Sequence, residues 1–263
     1  MSILHTIFLG IVEGLTEFLP ISSTAHMDIT RMFLSIPATD FMKSFEIIIQ
    51  LGAILAVVAL YWKKVLSSWK YFRNIVIAFI PTGIIGFLLY KTIKTFLLGN
   101  VNVEIGALIL GGIIILLFEY RQRKILNKAG NVSEQKIENL TIKQLLVLGT
   151  AQALAVIPGV SRSGAVIISG RAMKLSAPVI TEFSFLLAIP TMLLATMYDI
   201  YKSGLSITAD GWGTILVGFL VSFVVALVVI KWLINYVKSH SFEIFGWYRI
   251  IFGILVFLIL LIK

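Results

Sequence analysis

Six long apolar stretches run through this chain, and they constrain its fold more than any other feature. A transmembrane α-helix needs about 20 predominantly apolar residues, and each stretch comes close to that length. The six predicted spans are residues 45–62, 74–92, 103–120, 182–201, 212–233 and 247–262. Of the 263 residues, 59% are hydrophobic and only 13% are charged, which is untypical of a water-soluble domain. The sequence therefore predicts an all-α, polytopic integral membrane protein with about six transmembrane helices.

Basic residues are concentrated in the loops that follow the first, third and fifth spans, for example Lys63, Arg73, Arg123 and Lys238. Cytoplasmic loops carry an excess of lysine and arginine, so these three loops are predicted to be cytoplasmic. Topology thus accounts for the net charge of +9. The sequence has no basic, aromatic-interleaved pattern typical of nucleic-acid binding, so nucleic acid is excluded as a partner. It also has no cysteine, which excludes thiolate metal ligands and cysteine nucleophiles.

Two further segments, residues 1–40 and 144–178, are apolar but contain charged and helix-breaking residues in their middle. Backbone can be irregular at membrane depth only where protein or a water-filled cavity surrounds it. Each segment is therefore predicted to be a re-entrant helix hairpin. Ionisable residues at such depth are costly, and by default they indicate a functional site.

The two hairpins also resemble each other, which indicates an internal duplication. Residues 9–26 and 148–165 align without a gap and share leucine, glycine and serine at matching positions. Since three spans separate the hairpins, the two halves are predicted to form an inverted-topology repeat with a site near the membrane midplane. The chain is then a single transmembrane domain, 1–263, with repeats at approximately 1–126 and 140–263. A polar tract at 127–141 is predicted to link them on the cytoplasmic side.

The first hairpin contains two acids, Glu13 and Glu17, which lie four residues apart on one face of a helix that ends at Pro20. Carboxylate pairs suit hard divalent cations such as Mg²⁺ or Ca²⁺, which also bind phosphate oxygens of a substrate. The pattern predicts a metal site or direct catalysis by these acids. The alternative is that one glutamate is protonated or bonded to a neighbouring helix.

Hydroxyl residues follow the break in the first hairpin, namely Ser22, Ser23 and Thr24. They can cap a new helix, whose unpaired N–H groups attract an anion. His26 follows Ser23 by three residues, so both side chains are expected on one face, with the imidazole able to accept the proton of the serine hydroxyl. Alternatively, His26 is a structural residue.

The second hairpin breaks at a Pro-Gly pair and continues with Ser161, Arg162, Ser163 and Gly164. Arginine binds phosphate through two parallel N–H donors, and Gly164 allows close approach of a ligand to the backbone. An alternative is that Arg162 only forms an ion pair with Glu13 or Glu17. Two helix N-termini, an arginine, hydroxyls and acids together match the charge neutralisation that phosphoryl transfer requires.

Three motifs give the chain a resemblance to a known family. EGLTEFLPISSTAH (13–26) resembles the (E/Q)xxxE and SSTGH signature of the undecaprenyl-diphosphate phosphatases, also called bacitracin-resistance proteins. PGVSRSG (158–164) resembles their second signature, and FEIIIQLGAILAVV (45–58) resembles a third stretch. The chain departs from the family pattern at Ala25, where glycine is more common, and at Val166, where a hydroxyl residue is common.

This resemblance implies a multi-pass enzyme of the bacterial plasma (inner) membrane that removes the terminal phosphate of undecaprenyl diphosphate and so recycles a lipid carrier for cell-wall synthesis. It also implies site roles. Glu13 and Glu17 would hold a divalent cation, Ser22, Ser23 and Thr24 would lie beside the phosphate, and Ser161, Arg162, Ser163 and Gly164 would bind it. Ser23 is expected to be the nucleophile with His26 assisting, and attack by His26 itself is the competing version.

A transporter or flippase for a phosphorylated prenyl lipid is the alternative function, because inverted repeats with broken helices are also a transporter architecture. The partners expected in either case are the prenyl lipid substrate and membrane lipid, with a homodimer possible. The identity of the cation and the tolerated tail length stay open. The cleft is expected to open outward, because the first hairpin is predicted to enter from the outer side.

Overall fold

The computed structural model of the chain is all-α and describes residues 1–92, 97, 99–129, 135–203 and 211–262. Its α-helices are α1 (Ile3–Thr16), α2 (Ser23–Phe33), α3 (Asp40–Leu66), α4 (Trp69–Thr92), α5 (Val101–Ala129), α6 (Ile142–Ala153), α7 (Arg162–Ala172), α8 (Ala177–Ser203), α9 (Gly211–Tyr236) and α10 (Glu243–Ile262). Short 3₁₀ turns lie at Ile137–Asn139 and Leu154–Val156. These residues include no β-strand.

Six of these helices are long and apolar enough to cross a membrane, namely α3, α4, α5, α8, α9 and α10. The prediction of about six spans is confirmed, although most helices extend beyond the predicted limits. Helix α3, for example, begins at Asp40, where the Thr39 side chain accepts a hydrogen bond from the Met42 N–H and caps the helix. The first turn is polar, so a search for apolar residues does not detect it.

Both predicted hairpins are helix–break–helix units. Helices α1 and α2 flank residues 17–22, and α6 and α7 flank a 3₁₀ turn followed by residues 157–161. In each unit the residue before the second helix is a serine with left-handed backbone, Ser22 at φ 72° and Ser161 at φ 75°. This conformation is unfavourable for a residue with a Cβ, and it occurs at aligned positions. Re-entry from opposite membrane faces stays a prediction.

The two halves interlock, since each hairpin packs against a helix of the other half. Helix α1 packs on α9, and α6 packs on α4. The aligned glycines allow this close approach: a Cβ on Gly10 would lie 2.9 Å from the Gly218 carbonyl oxygen, and one on Gly149 only 1.9 Å from that of Ala78. This reciprocal packing, in which each hairpin contacts a helix of the other half, is compatible with the predicted duplication. The repeat limits stay a prediction, and residues 130–134 of the predicted linker lie outside the described residues.

Replacing Gly149 with alanine tests this packing. The added methyl group would overlap the Ala78 carbonyl oxygen, so α4 and α6 must separate. Overpacking of this kind costs about 1–3 kcal/mol, and the melting temperature in detergent should fall by about 3–10 °C. The matched control is Gly86→Ala in α4, where the added carbon meets no atom within 4 Å. An unchanged melting temperature for Gly149→Ala would contradict the described helix contact.

Candidate active site

The breaks of the two hairpins lie against each other, and this brings the predicted site residues together. The Ser163 hydroxyl of the second hairpin donates a 2.8 Å hydrogen bond to the Leu19 carbonyl of the first. A Cβ on Gly164 would lie only 3.5 Å from Cβ of Pro20. The first turn of α7 therefore packs directly on the first break.

Glu17 connects the hairpins through its carboxylate. Its Oε1 accepts a hydrogen bond from Arg162 Nη2 at 3.3 Å, and its Oε2 accepts one from the Ser23 hydroxyl at 2.5 Å. Glu17 and Ser23 are buried, at 6% and 9% exposure. The 3.3 Å distance is longer than usual for a charge-assisted hydrogen bond. The acid thus lies between a cation of one hairpin and a hydroxyl of the other.

Arg162 is the first residue of α7, and its guanidinium is only partly used by the protein. Nη1 donates to the Ser184 carbonyl at 2.7 Å, Nη2 donates to Glu17, and the group lies 5.9 Å from the Phe18 ring centre. The buried Nε has no hydrogen-bond partner among the described residues. Since a guanidinium has five N–H donors, donors remain for an anion.

The hydroxyls after the breaks have different roles. Ser161 caps α7, because its Oγ accepts a 3.2 Å hydrogen bond from the Gly164 N–H, and Ser163 Oγ lies 3.1 Å from the same oxygen. Ser22 occupies the matching cap of α2 without a side-chain hydrogen bond to that helix. Thr24 is exposed and borders the cavity. The N–H groups of the first turn of α2 are therefore less well satisfied by caps than those of α7.

A cavity of about 220 Å³ lies where the breaks meet. The predicted residues that line it are Glu17, Ser22, Ser23, Thr24, Ser161 and Arg162. Glu13, His26, Ser163 and Gly164 do not line it. Gln152, which aligns with Glu13, forms part of its wall and donates hydrogen bonds to Thr82 and Thr191 at 3.1 and 2.8 Å. A larger cavity of about 400 Å³, lined by Arg171 and Lys238 among others, contains no predicted site residue.

His26 lies apart from the Ser23 hydroxyl, and the expected contact between them is wrong for this structure. Its Nδ1 lies 2.7 Å from the Ser22 carbonyl oxygen, and its Nε2 lies 2.7 Å from the Tyr248 hydroxyl. The ring also stacks on Phe252, with centres 4.5 Å apart. Both ring nitrogens are thus engaged, one of them by α10, whereas the Ser23 hydroxyl donates to Glu17.

The acid pair fits a divalent cation only in part. The buried Glu13 Oε1 has no hydrogen-bond partner among the described residues, and its carboxyl group interacts electrostatically with that of Glu17. An unpartnered carboxylate oxygen is a suitable ligand for a hard cation. Both oxygens of Glu17, however, already accept hydrogen bonds. No cluster of three or more His, Asp or Glu ligands occurs in the described part of the chain. A cation here would need further oxygen ligands, such as water molecules or phosphate oxygens of a substrate.

Two residues of α10 beside the site were missed by the sequence reasoning. Tyr248 contacts His26, and the buried Arg249 donates hydrogen bonds to the backbone of both breaks. Arg249 lies inside a predicted span, and a charged residue within a span is a signal that could have identified it. Tyr248 carried no comparable signal, because tyrosine is common in transmembrane helices near the interface.

Comparison with known proteins shows the family of the chain. A family model described as "Bacitracin resistance protein BacA" matches residues 6–255. Undecaprenyl-diphosphatase of Aquifex aeolicus is 52% identical over 250 residues, which cover 95% of either chain. The protein of the same name from Sulfurihydrogenibium sp. is 46% identical over 98% of this chain and 99% of its own length, and that from Bdellovibrio bacteriovorus is 45% identical over 99% and 97%. The chain therefore belongs to the bacitracin resistance protein BacA family.

Proposed function

We propose that this chain hydrolyses undecaprenyl diphosphate to undecaprenyl phosphate and inorganic phosphate in the bacterial plasma membrane, and so recycles the lipid carrier for cell-wall synthesis. The relatives named undecaprenyl-diphosphatase match nearly the whole chain. The six helices able to span a membrane fit a lipid substrate. The observation that carries the proposal is the Ser23–Glu17–Arg162 arrangement, which joins a hydroxyl, a base and a phosphate-binding cation in one cavity.

The terminal phosphate would bind in the cavity between the breaks. Arg162 has donors available there, and the N-termini of α2 and α7 offer backbone N–H groups to an anion. Glu17 is a partner of Arg162 in the structure, so the phosphate would share this guanidinium with the acid. The ion-pair alternative and the phosphate-binding role of Arg162 are therefore compatible.

In the proposed chemistry, Ser23 Oγ attacks the terminal phosphorus while Glu17 accepts its proton, as the 2.5 Å contact allows. The bond between that phosphorus and the bridging oxygen breaks, and undecaprenyl phosphate leaves. Glu17 then releases this proton to solvent. Water attacks the phosphoserine phosphorus while Glu17 accepts a proton from the water, the bond between that phosphorus and Ser23 Oγ breaks, and Glu17 returns the proton to Ser23 as inorganic phosphate leaves. The charge on the transferred group is neutralised by Arg162 and the helix N-termini.

His26 would act by holding this nucleophile in place. Its ring nitrogen next to the Ser22 carbonyl fixes the backbone immediately before Ser23. The competing version, in which His26 attacks phosphorus itself, requires the ring to leave Tyr248 and Phe252 and enter the cavity.

A divalent cation, Mg²⁺ or Ca²⁺, is the proposed cofactor. Glu13 would supply its unpartnered oxygen, with Glu17 next to it and phosphate oxygens completing the coordination. A bound cation would add positive charge at the transferred phosphate and favour the phosphoryl-transfer transition state.

Removal of the Arg162 side chain tests the phosphate-binding role. Arg162→Ala should lower phosphate release from a prenyl diphosphate in detergent by about 100-fold or more, because one electrostatic contact to the transferred group is lost. The matched control is Arg171→Ala, nine residues later on the same helix and outside this cavity. Equal rates for Arg162→Ala and the unmodified chain would contradict the proposed binding site.

A trapped intermediate tests which residue attacks. Acid quenching during turnover, followed by peptide mass spectrometry, should find phosphate on Ser23, since phosphoserine survives acid whereas phosphohistidine does not. No phosphorylated peptide should form in Ser23→Ala, whereas phosphate on Ser23 should still be found in Thr24→Ala. A parallel sample is quenched in base, which preserves phosphohistidine; phosphate on His26 in that sample, with none on Ser23, would support the competing version.

Chelation tests the cofactor. Treatment with EDTA should abolish phosphate release, and Mg²⁺ or Ca²⁺ should restore it. Glu13→Gln should raise the cation concentration that gives half-maximal activity by about 10-fold or more, because a charged ligand is lost. Full activity after exhaustive chelation would exclude the cation, and an unchanged requirement in Glu13→Gln would exclude Glu13 as its ligand.

A further inference from the structure

Arg249 of α10 has a hydrogen-bonding pattern that packing alone does not explain. Its side chain is 1% exposed, and all its hydrogen bonds go to backbone carbonyl groups. The acceptors are Leu108 for Nε at 3.2 Å, Pro20 and Val160 for Nη1 at 3.0 Å each, and Ala107 and Gly159 for Nη2 at 2.9 and 2.8 Å. These five bonds use all five N–H donors of a guanidinium.

The acceptors join three parts of the fold at one point. Pro20 lies in the first break, Gly159 and Val160 lie in the second, and the remaining two are consecutive residues of α5. A single nitrogen, Nη1, donates to both breaks, so it fixes the separation of the Pro20 and Val160 carbonyls. These residues precede the two serines with left-handed backbone, Ser22 and Ser161.

Broken helices leave carbonyl groups without helical partners, and unpaired carbonyls are costly at membrane depth. Carbonyl oxygens also carry partial negative charge and would repel a phosphate if they turned toward it. Arg249 binds three such oxygens, those of Pro20, Gly159 and Val160. Because C=O and N–H of one trans peptide point in opposite directions, binding of the Val160 carbonyl directs the N–H of Ser161 away from Arg249.

Arg249 forms no ion pair within the described part of the chain. None of its contacts within the described residues is to a carboxylate. Burial of an unpaired charge is costly, and the anionic head group that the proposed function brings to the adjacent cavity would offset part of that cost. A lysine would keep the charge, but its three donors on one nitrogen cannot bind five separated carbonyls.

We infer that Arg249 is a positioning residue of the phosphatase site, which aligns the two breaks so that the α2 and α7 N-termini face one phosphate. This inference rests on the proposed phosphate site between the hairpins. Helix α5 makes room for the guanidinium at Gly111, where a Cβ would lie 2.1 Å from Nη2.

Gly111→Ala is therefore a sharp test, because it displaces the guanidinium while leaving Arg249 and every cavity residue unchanged. The second variant is Arg249→Lys. The matched control is Gly106→Ala, also in α5, where an added Cβ meets no atom within 4 Å. Rates are measured on monodisperse protein and divided by the folded fraction, with kcat and KM determined separately for a prenyl diphosphate.

Both variants should lower kcat by about 10-fold or more, since misplacement by about 1 Å can cost about 100-fold. KM should change by less than about threefold, because Arg162 still contacts the ground state. Gly106→Ala should match the unmodified chain. A residue that only supports the fold would lower the melting temperature and leave kcat per folded molecule unchanged.

Unchanged kcat per folded molecule in Gly111→Ala overturns the inference, whether or not Arg249→Lys folds. Arg162→Ala, assayed in parallel, separates the two proposals. If Arg162→Ala is impaired but Gly111→Ala is not, only the positioning role fails. If Arg162→Ala is fully active, the phosphate site itself fails.

Discussion

The contact between Glu17 and Arg162 is the interaction on which the candidate site depends. Each residue comes from a different broken helix, and the pair brings both breaks to one cavity. Arginine and glutamate are costly to bury, and their attraction offsets that cost only with good geometry and further hydrogen bonds. Ser23 and the Ser184 carbonyl supply those bonds. An anionic substrate would use the same guanidinium, which would then bind both Glu17 and the substrate.

The second constraint is that backbone polar groups must be satisfied at membrane depth. Two broken helices leave backbone N–H and C=O groups without helical partners. In this chain the two kinds of group have different surroundings. Arg249 binds carbonyls of both breaks, whereas the helix N-termini after Ser22 and Ser161 are left to face the cavity. Glycines such as Gly111 and Gly149 permit the close contacts that this requires. The irregular backbone would thus supply the N–H groups on which the proposed phosphate binding relies.

Much of the architecture could be predicted from the sequence, because apolar length and helix-breaking residues are local signals. The spans, the two helix–break–helix units and the residues around Glu17 and Arg162 follow from such signals. Side-chain direction after a break does not, since it depends on neighbours far along the chain. His26 therefore contacts Tyr248, 222 residues away, and does not contact Ser23. The five carbonyl contacts of Arg249 involve three segments that are distant in the sequence. The residues next to Arg249 therefore do not predict them.

Hydrogen–deuterium exchange tests, without relying on catalysis, whether the two hairpins enclose a single diphosphate head group. A non-hydrolysable prenyl diphosphate analogue is added to the detergent-solubilised protein, and exchange is followed by mass spectrometry. If both hairpins bind the analogue, residues 17–24 and 157–164 should exchange more slowly at the same analogue concentration. In Arg162→Ala, the analogue should slow exchange in neither segment. Protection of only one of these segments, or of neither at saturating analogue, would contradict binding by both hairpins.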